Sequence, residues 1–130
     1  NHSVLLTGDI DKSVERQIVL TYGAALNSDI LIAPHHGSNT SSSSQLIQTV
    51  QPKYVVFSQG FMNRWKFPRS EVVTRYLKDG VNPVTLYKTS DSGQVSFSFQ
   101  THEEPFISTS TYRRHHYPYW YGNMPECCTN

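Results

Sequence analysis

The aliphatic side chains of this 130-residue chain are concentrated in its first hundred residues, and that distribution limits where a core can form. Residues 1–100 contain 27 Ala, Val, Ile and Leu residues, whereas residues 101–130 contain one, Ile107. A segment of about 100 residues is long enough to bury a small core of its own. We therefore predict one folded unit over residues 1–100. Residues 101–130 are expected to form a polar, aromatic and loosely ordered tail.

Within the first hundred residues, short apolar runs alternate with segments of helical spacing. Continuous apolar runs bounded by Gly, Pro or Asp predict buried strands, and apolar residues three or four positions apart predict helices. The predicted strands cover residues 3–7, 29–33, 54–58, 84–87 and 94–99, and the predicted helices cover 12–22, 42–51 and 70–78. The order β-α-β-α-β-α-β-β predicts an α/β fold, in which a mixed sheet is covered by helices.

Polar and glycine residues mark the ends of these elements. We expect Asp11, Ser42 and Ser70 to cap the three helices, and Gly23 to end the first of them. Residues 91–93, Asp-Ser-Gly, are expected to form the turn of a hairpin between the last two strands.

Composition excludes several classes of protein. A net charge of +1 excludes a strongly basic nucleic-acid binder and an acidic tail protein. No apolar run approaches the ~20 residues that span a bilayer. The two cysteines, Cys127 and Cys128, are adjacent, a spacing that strains a disulfide and makes no metal site by itself. Residues 112–121 mix Arg, His and aromatic side chains, and we interpret them as part of the tail.

Polar side chains follow each of the first three predicted strands. The first strand is followed by Gly8-Asp9, the second by residues 35–38 (His-His-Gly-Ser), and the third by a loop that includes residues 63–68. In open α/β sheets, functional groups collect in the loops beyond the carboxyl ends of the strands. If the strands are neighbours, these three loops face one another.

Asp9 and the His pair are the candidates for chemistry. By local reasoning Asp9 fits a helix cap or an Asx-turn better than a metal ligand. Neutral imidazole is the commonest metal ligand and also acts as a general acid or base near neutral pH. On an extended backbone, His35 and His36 would point to opposite sides, so that one faces a metal and the other a substrate. Gly37 permits a ligand to approach the backbone closely, and Ser38 can hydrogen-bond an oxygen. A His pair with a purely structural role is an equally good interpretation of this segment.

Taken together, several segments resemble a domain of the metallo-β-lactamase superfamily, and more narrowly the hydrolase-like domain of ComEC-type membrane proteins of bacterial DNA uptake. The resemblance covers residues 3–99 and rests on these segments in this order: Leu-Leu-Thr-Gly-Asp-Ile at 5–10, Asp-Ile-Leu-Ile-Ala-Pro-His-His-Gly-Ser at 29–38, the serines at 41–44, Tyr-Val-Val-Phe-Ser at 54–58, and Asn-Arg at 63–64. It implies an αβ/βα sandwich of two halves, of which this chain is the second.

The resemblance also implies roles for individual residues. Two zinc or manganese ions would lie between the halves, with Asp9 and either His35 or His36 among their ligands. By position, His35 is the expected ligand and His36 the expected proton donor. His36 and Ser38 would contact the phosphate of a DNA substrate.

Two departures from the family pattern affect these expectations. The main metal motif, H-x-H-x-D-H, is absent from these 130 residues, so the complete domain rather than this part is expected to hold metal. Related proteins also have a His just before the Pro of the Asn-Arg loop, where this chain has Phe67. Phe67 can neither bind metal nor transfer a proton.

The resemblance therefore implies a metal-dependent nuclease that degrades the DNA strand not taken up, with this part inactive alone. The parent would be a bacterial inner-membrane protein, with this domain in the periplasm or cytoplasm. Expected partners are DNA, the missing N-terminal half of the domain, and a second copy of the chain, because a half-sandwich exposes an apolar sheet face. The alternatives are an inactive scaffold that guides DNA, and another hydrolase of the superfamily acting on a lipid or small phosphodiester.

Overall fold

A four-stranded parallel sheet forms the centre of the computed structural model, which describes residues 2–99 and 107–112. Its strands are β1 (Val4–Leu6), β2 (Ile30–Ile32), β3 (Tyr54–Phe57) and β4 (Thr85–Lys88), and their spatial order equals their order in the chain. The α/β class predicted from the alternation of apolar runs and helical segments is confirmed.

Three helices connect the parallel strands. They are α1 (Lys12–Tyr22), α2 (Ser44–Val50) and α3 (Ser70–Asp79). Because the strand order never reverses and parallel crossovers are right-handed, the three helices lie on one face of the sheet. Short 3-10 turns at Gly23–Leu26 and Pro34–Gly37 follow α1 and β2, and no helix among the described residues is long and apolar enough to cross a membrane.

The predicted caps are confirmed for α1 and shifted for the other two helices. The Asp11 carboxylate accepts the N–H groups of Ser13 and Val14, and α1 ends at Gly23. Helix α2 is capped by Ser43 rather than Ser42, because the Ser43 hydroxyl accepts the N–H of Leu46. In α3, Ser70 is the first helical residue and does not act as a cap.

The hydrophobic core fills the space between the helices and one face of the sheet. Leu31, Val55 and Phe57 point to this side and are fully buried, as are the helix residues Leu46, Ile47, Val50, Val72 and Tyr76. The rings of Phe57 and Tyr76 meet edge to face, with centroids 5.6 Å apart. This contact joins the end of β3 to α3 directly beneath the loops that follow the strands.

A separate antiparallel pair, β5 (Val95–Phe99) and β6 (Ile107–Thr111), packs on the opposite face. The ring of Phe97 lies 5.6 Å from that of Tyr54 and 5.9 Å from that of Tyr87, and the Tyr87 hydroxyl lies 2.8 Å from that of Thr109. Parallel and antiparallel pairings thus occur in two sheets rather than in one mixed sheet.

The prediction that residues 91–93 form the turn of a hairpin is wrong. A short helix, α4 (Thr89–Ser92), follows β4 instead, so that β5 leaves the parallel sheet. The physical reason is that Tyr54 and Tyr87 need a cover on the second face, and β5 supplies it.

This second face is covered only in part. Val4 and Leu6 of the edge strand β1 are 45% and 75% exposed, whereas Ile30 on β2 is 1% exposed. On the other face of the sheet, Val55 and Phe57 are fully buried beneath the helices. Among the described residues of the parallel sheet, Val4 and Leu6 on the β1 edge are the exposed large apolar side chains.

Strand β6 lies in the range predicted as the tail and pairs with β5. Sequence reasoning missed this strand because Ile107 is its only apolar residue, so no apolar run marks it. The rest of the tail, including residues 113–121, Cys127 and Cys128, lies outside the described residues, and the division at residue 100 stays a prediction.

Candidate functional site at the carboxyl edge of the sheet

A cleft of about 670 Å³ lies at the carboxyl edge of the parallel sheet. The loops that follow β1, β2 and β3 meet there, as the edge rule for α/β sheets predicts. Its lining includes the four candidate residues and three from the third loop: Asp9, His35, His36, Ser38, Asn63, Trp65 and Phe67.

The loop after β1 is tied to the loop after β2. The Thr7 hydroxyl donates to the carbonyl of Ile32 at 2.7 Å, and the N–H of His35 donates to the carbonyl of Gly8 at 3.0 Å. Gly8 adopts a φ of 59°, which turns the chain sharply before Asp9. These contacts place the Asp9 carboxylate beside the His pair.

The His pair adopts left-handed backbone conformations rather than the extended one expected from the sequence. His35 has φ 48° and ψ 41°, and His36 has φ 55° and ψ 18°. A 3-10 turn, closed by the N–H of Ser38 on the carbonyl of His35, forces this geometry immediately after Pro34. Non-glycine residues in this region are strained, and such residues cluster at functional sites. Both imidazoles consequently line the same cleft.

Asp9 contacts His36 and not His35. The Oδ1 of Asp9 lies 3.2 Å from the Nε2 of His36, and the two side chains are 67% and 46% exposed. A carboxylate at this distance attracts the imidazole when that ring is protonated. The pair is open to the cleft and accessible to a ligand.

His35 is oriented by a different set of groups. Its Nδ1 lies 3.3 Å from the hydroxyl of Thr40, which in turn lies 3.0 Å from the hydroxyl of Ser38. Ser38 is only 7% exposed, so in this arrangement its hydroxyl acts on His35 through Thr40. The ring of Phe67 meets that of His35 edge-on, with centroids 6.1 Å apart.

Gly37 allows the turn to pack against the third loop. A Cβ on this residue would lie 2.5 Å from the Cβ of Pro68 and 2.8 Å from the Cδ1 of Phe57, and its φ is 85°. Its carbonyl accepts the N–H of Arg69 at 3.0 Å. Only glycine meets both requirements here.

Sequence reasoning missed Glu15, which organises the serine loop (residues 38–44) from within. Glu15 is fully buried in α1, and its two carboxylate oxygens accept the N–H groups of Ser42 and Ser43 at 2.6 and 2.8 Å. The signal was present, because Glu15 lies four residues before Val19, on the face of α1 that is buried.

Two residues of α3 complete the anchoring of the serine loop. Arg75 donates from Nη1 to the carbonyls of Ser41 and Ser42, and the Tyr76 hydroxyl donates to Ser42 Oγ at 3.1 Å. Burial raises the pKa of the Tyr76 hydroxyl well above its usual value. These polar contacts fix the loop that supports His35.

Asp11 is a carboxylate of a different kind, although it lies two residues from Asp9. Hydrogen bonds from the Ser13 hydroxyl and from the N–H groups of Val14 and Ser13 lower its pKa. Its role is to cap α1, so it offers a matched comparison for Asp9.

The described residues contain no group of three or more His, Cys, Asp or Glu side chains that could hold a metal ion. Asp9, His35 and His36 are suitable ligand types for zinc or manganese, but a firmly held ion needs three or four protein ligands arranged around it. The described part of the chain therefore does not fit a complete metal site.

The chain is similar to parts of much longer bacterial proteins. It is 40% identical over 95 residues to the competence protein ComA of Neisseria gonorrhoeae, a match that covers 73% of this chain and 13% of that protein. It is 39% identical over 98 residues to the recombination protein 2 of Haemophilus influenzae, covering 75% and 12%.

A third relative covers more of the chain. The uncharacterized protein YcaI of Escherichia coli is 35% identical over 120 residues, which is 92% of this chain and 15% of that protein. The chain thus spans about an eighth of the length of these relatives. Neither a family model nor a solved structure matches it.

Proposed function

We propose that the chain is the second part of a metallo-β-lactamase-like domain in a ComEC-type DNA-uptake protein, and that its cleft takes part in hydrolysing DNA phosphodiesters. The observation that carries this proposal is the meeting of Asp9, His35 and His36 in one cleft. The likeness to a competence protein and to a recombination protein supports DNA as the substrate class.

The chain's own residues would orient the substrate and handle protons. Asp9 lies beside the imidazole of His36, which would serve as a general acid or base. Thr40, supported by Ser38, holds His35 in the same cleft. Asp9 contacts His36. The geometry therefore supports His36, as well as His35, as the imidazole that would bind the same metal ion as Asp9.

Another segment of the longer protein would complete the site. Zinc or manganese, which the family uses, needs more ligands than the described residues bring together. The exposed Val4 and Leu6 on the β1 edge offer an apolar surface for such a segment, or for a second copy of the chain. In this arrangement the parent is a membrane protein and this part lies in the aqueous phase.

A nuclease assay on the full-length parent protein, with and without added manganese or zinc, tests the proposal. We expect Asp9→Asn to lower cleavage of linear DNA by roughly 100-fold or more, since positioned acid–base and ligand groups contribute about that much. Asp11→Asn is the matched control and should cleave at the wild-type rate, because Asn also caps a helix. Absence of metal-dependent cleavage in the wild type, or an active Asp9→Asn variant, would overturn the proposal.

One observation favours a second candidate, a module that guides DNA without cutting it. Phe67 lines the cleft against His35 and has no proton to transfer. The same assay separates the candidates, because a guiding module binds DNA and leaves it intact. Replacing Phe67 by His would then be expected to leave the parent protein inactive, whereas in a hydrolase it should preserve or raise the rate.

A further inference from the structure

The third loop of the cleft combines aromatic and basic side chains. Residues 61–69, which we call the aromatic loop, read Phe-Met-Asn-Arg-Trp-Lys-Phe-Pro-Arg. Trp65 and Phe67 line the cleft, and Trp65 remains 53% exposed. Arg64 and Lys66, on either side of Trp65, are exposed. An exposed indole between two cations at the mouth of the cleft favours a ligand with both a flat ring and negative charge.

The backbone of the aromatic loop is held in shape by its own hydrogen bonds. Asn63 accepts the N–H of Phe67 at 2.7 Å through Oδ1 and donates to the carbonyl of Phe67 at 2.9 Å through Nδ2. The N–H of Lys66 donates to the carbonyl of Asn63 at 3.0 Å. The backbone that carries Trp65 is therefore preformed, which lowers the entropy cost of binding a ligand.

The rings and cations form a row that leads towards the His pair. The guanidinium carbon of Arg64 lies 4.2 Å from the centre of the Trp65 ring. Trp65 and Phe67 lie with their centroids 6.4 Å apart and their planes 14° from parallel, and Phe67 meets His35 at 6.1 Å. A guanidinium that stacks on a ring still has N–H groups at its edge that can bind a phosphate.

We propose that the aromatic loop binds an unpaired stretch of single-stranded DNA, with one base stacked on Trp65 and the flanking phosphates contacted by Arg64 and Lys66. This inference rests on the proposed function, which supplies DNA as the ligand. Single-stranded DNA exposes the faces of its bases, whereas the bases of a duplex are stacked on each other. Aromatic side chains with neighbouring cations are the usual means of binding such strands. The strand would run from Trp65 past Phe67 towards the Asp9–His36 pair.

The test measures binding of a fluorescently labelled thymidine oligonucleotide of about 12 nucleotides, a length within the usual range of single-strand sites. The full chain is used, in EDTA, and the readout is fluorescence anisotropy. A blunt hairpin duplex of the same mass serves as the second probe.

Replacing Trp65 by Ala should raise the Kd for the single strand by roughly 5- to 150-fold, the usual effect of losing one base–aromatic stack. Trp65→Phe should restore most of the affinity, because a flat ring remains. Tyr22→Ala removes an aromatic side chain of similar exposure, 59%, from helix α1 and should leave the Kd unchanged. The duplex should bind more weakly and respond little to Trp65→Ala.

The phosphate contacts predict a change in salt dependence. Arg64→Ala should reduce the slope of log K against log salt concentration by about 0.7, the value for one phosphate contact on a single strand. Lys78→Ala removes one exposed cation from the last turn of α3 and should leave the slope unchanged. Equal slopes for the two variants would remove Arg64 from the proposal.

The proposal is overturned if the wild type fails to bind the single strand, if Trp65→Ala binds as tightly as the wild type, or if the duplex shows the same dependence on Trp65. Because EDTA prevents metal-dependent cleavage, this result is independent of the nuclease assay. A parent protein that binds strands through Trp65 but never cleaves would overturn the proposed hydrolysis and leave this inference standing.

Discussion

Two loops border the cleft, and they keep their shapes in opposite ways. The serine loop turns its polar groups inward, where Ser41 and Ser42 are fully buried and are bound by side chains of α1 and α3. The aromatic loop turns large apolar side chains outward, with Met62 84% and Trp65 53% exposed, and its backbone is held by Asn63 within the loop itself.

The contrast separates two tasks of a binding site. The serine loop is continuous with the core, so the position of His35 depends on the stability of the whole fold. The aromatic loop can change its contacts with a ligand while the core stays intact. Variants of the first loop should therefore lower stability, and variants of the second should alter binding.

The largest effect is expected from Glu15→Ala. Its carboxylate is the acceptor for two N–H groups of the serine loop, and alanine would leave both without a partner. We expect a loss of about 3–5 kcal/mol in the free energy of unfolding, since a hydrogen bond to a charged group contributes about 1.5–3 kcal/mol. Urea unfolding followed by circular dichroism measures this loss.

Two further variants sharpen the result for Glu15. Glu15→Gln keeps the size and one acceptor oxygen, and should fall between the wild type and Glu15→Ala. Gln17→Ala removes an exposed polar side chain from the same helix and should have little effect. A Glu15→Ala protein as stable as the wild type would show that the serine loop does not depend on the core.

The buried position of Glu15 illustrates what the sequence could and could not predict. Alternating apolar runs and helical spacing predicted the α/β class and the three helices that cover the sheet, because those patterns are local. The expected mixed sheet is instead a parallel sheet beside a separate antiparallel pair. The edge rule likewise predicted that Asp9 and the His pair would meet. A buried carboxylate bound to a loop 27 residues away is a long-range contact, which a local pattern does not predict.

The conformation of the His pair also escaped prediction. His35 and His36 have no sequence pattern that demands left-handed backbone, and an extended conformation was the ordinary expectation. The 3-10 turn that imposes it forms where Pro34 ends β2 and Gly37 packs against Pro68. Tertiary packing therefore decided which imidazole faces Asp9.

An intermediate effect is expected from Gly37→Ala. Gly37 directly precedes the serine loop and packs against Pro68 of the aromatic loop. A Cβ would lie 2.5 Å from Pro68 and 2.8 Å from Phe57, in a backbone conformation that alanine rarely adopts. Overpacking and the positive φ together should cost about 2–4 kcal/mol of unfolding free energy. Thermal unfolding by calorimetry is a suitable measurement.

Gly60→Ala is the matched control for this variant. No atom lies within 4 Å of the position that its Cβ would occupy, so the change should leave stability equal or slightly higher. If Gly37→Ala is as stable as Gly60→Ala, the two loops are not packed together as described.

The smallest effect is expected from Tyr76→Phe, which removes the hydroxyl that donates to Ser42. At neutral pH the loss should be about 1 kcal/mol, the usual contribution of one neutral hydrogen bond. Tyr22→Phe, at an exposed position, should change stability at neutral pH very little. The comparison isolates the contribution of a single buried hydroxyl to the serine loop.

The same variant should change the dependence of stability on pH. Burial raises the pKa of Tyr76 in the folded state, whereas in the unfolded chain it stays near its usual value of about 10. Above that pH the unfolded tyrosine releases its proton and the folded one keeps it, so unfolding becomes more favourable by about 1.4 kcal/mol per pH unit. Tyr76→Phe lacks this contribution, and lysines and other tyrosines titrate alike in both proteins.

The wild-type advantage at neutral pH should therefore shrink above about pH 10 and change sign within about one further unit. A constant difference between the two proteins across pH 8–11 would show that the Tyr76 hydroxyl is not buried in the folded state.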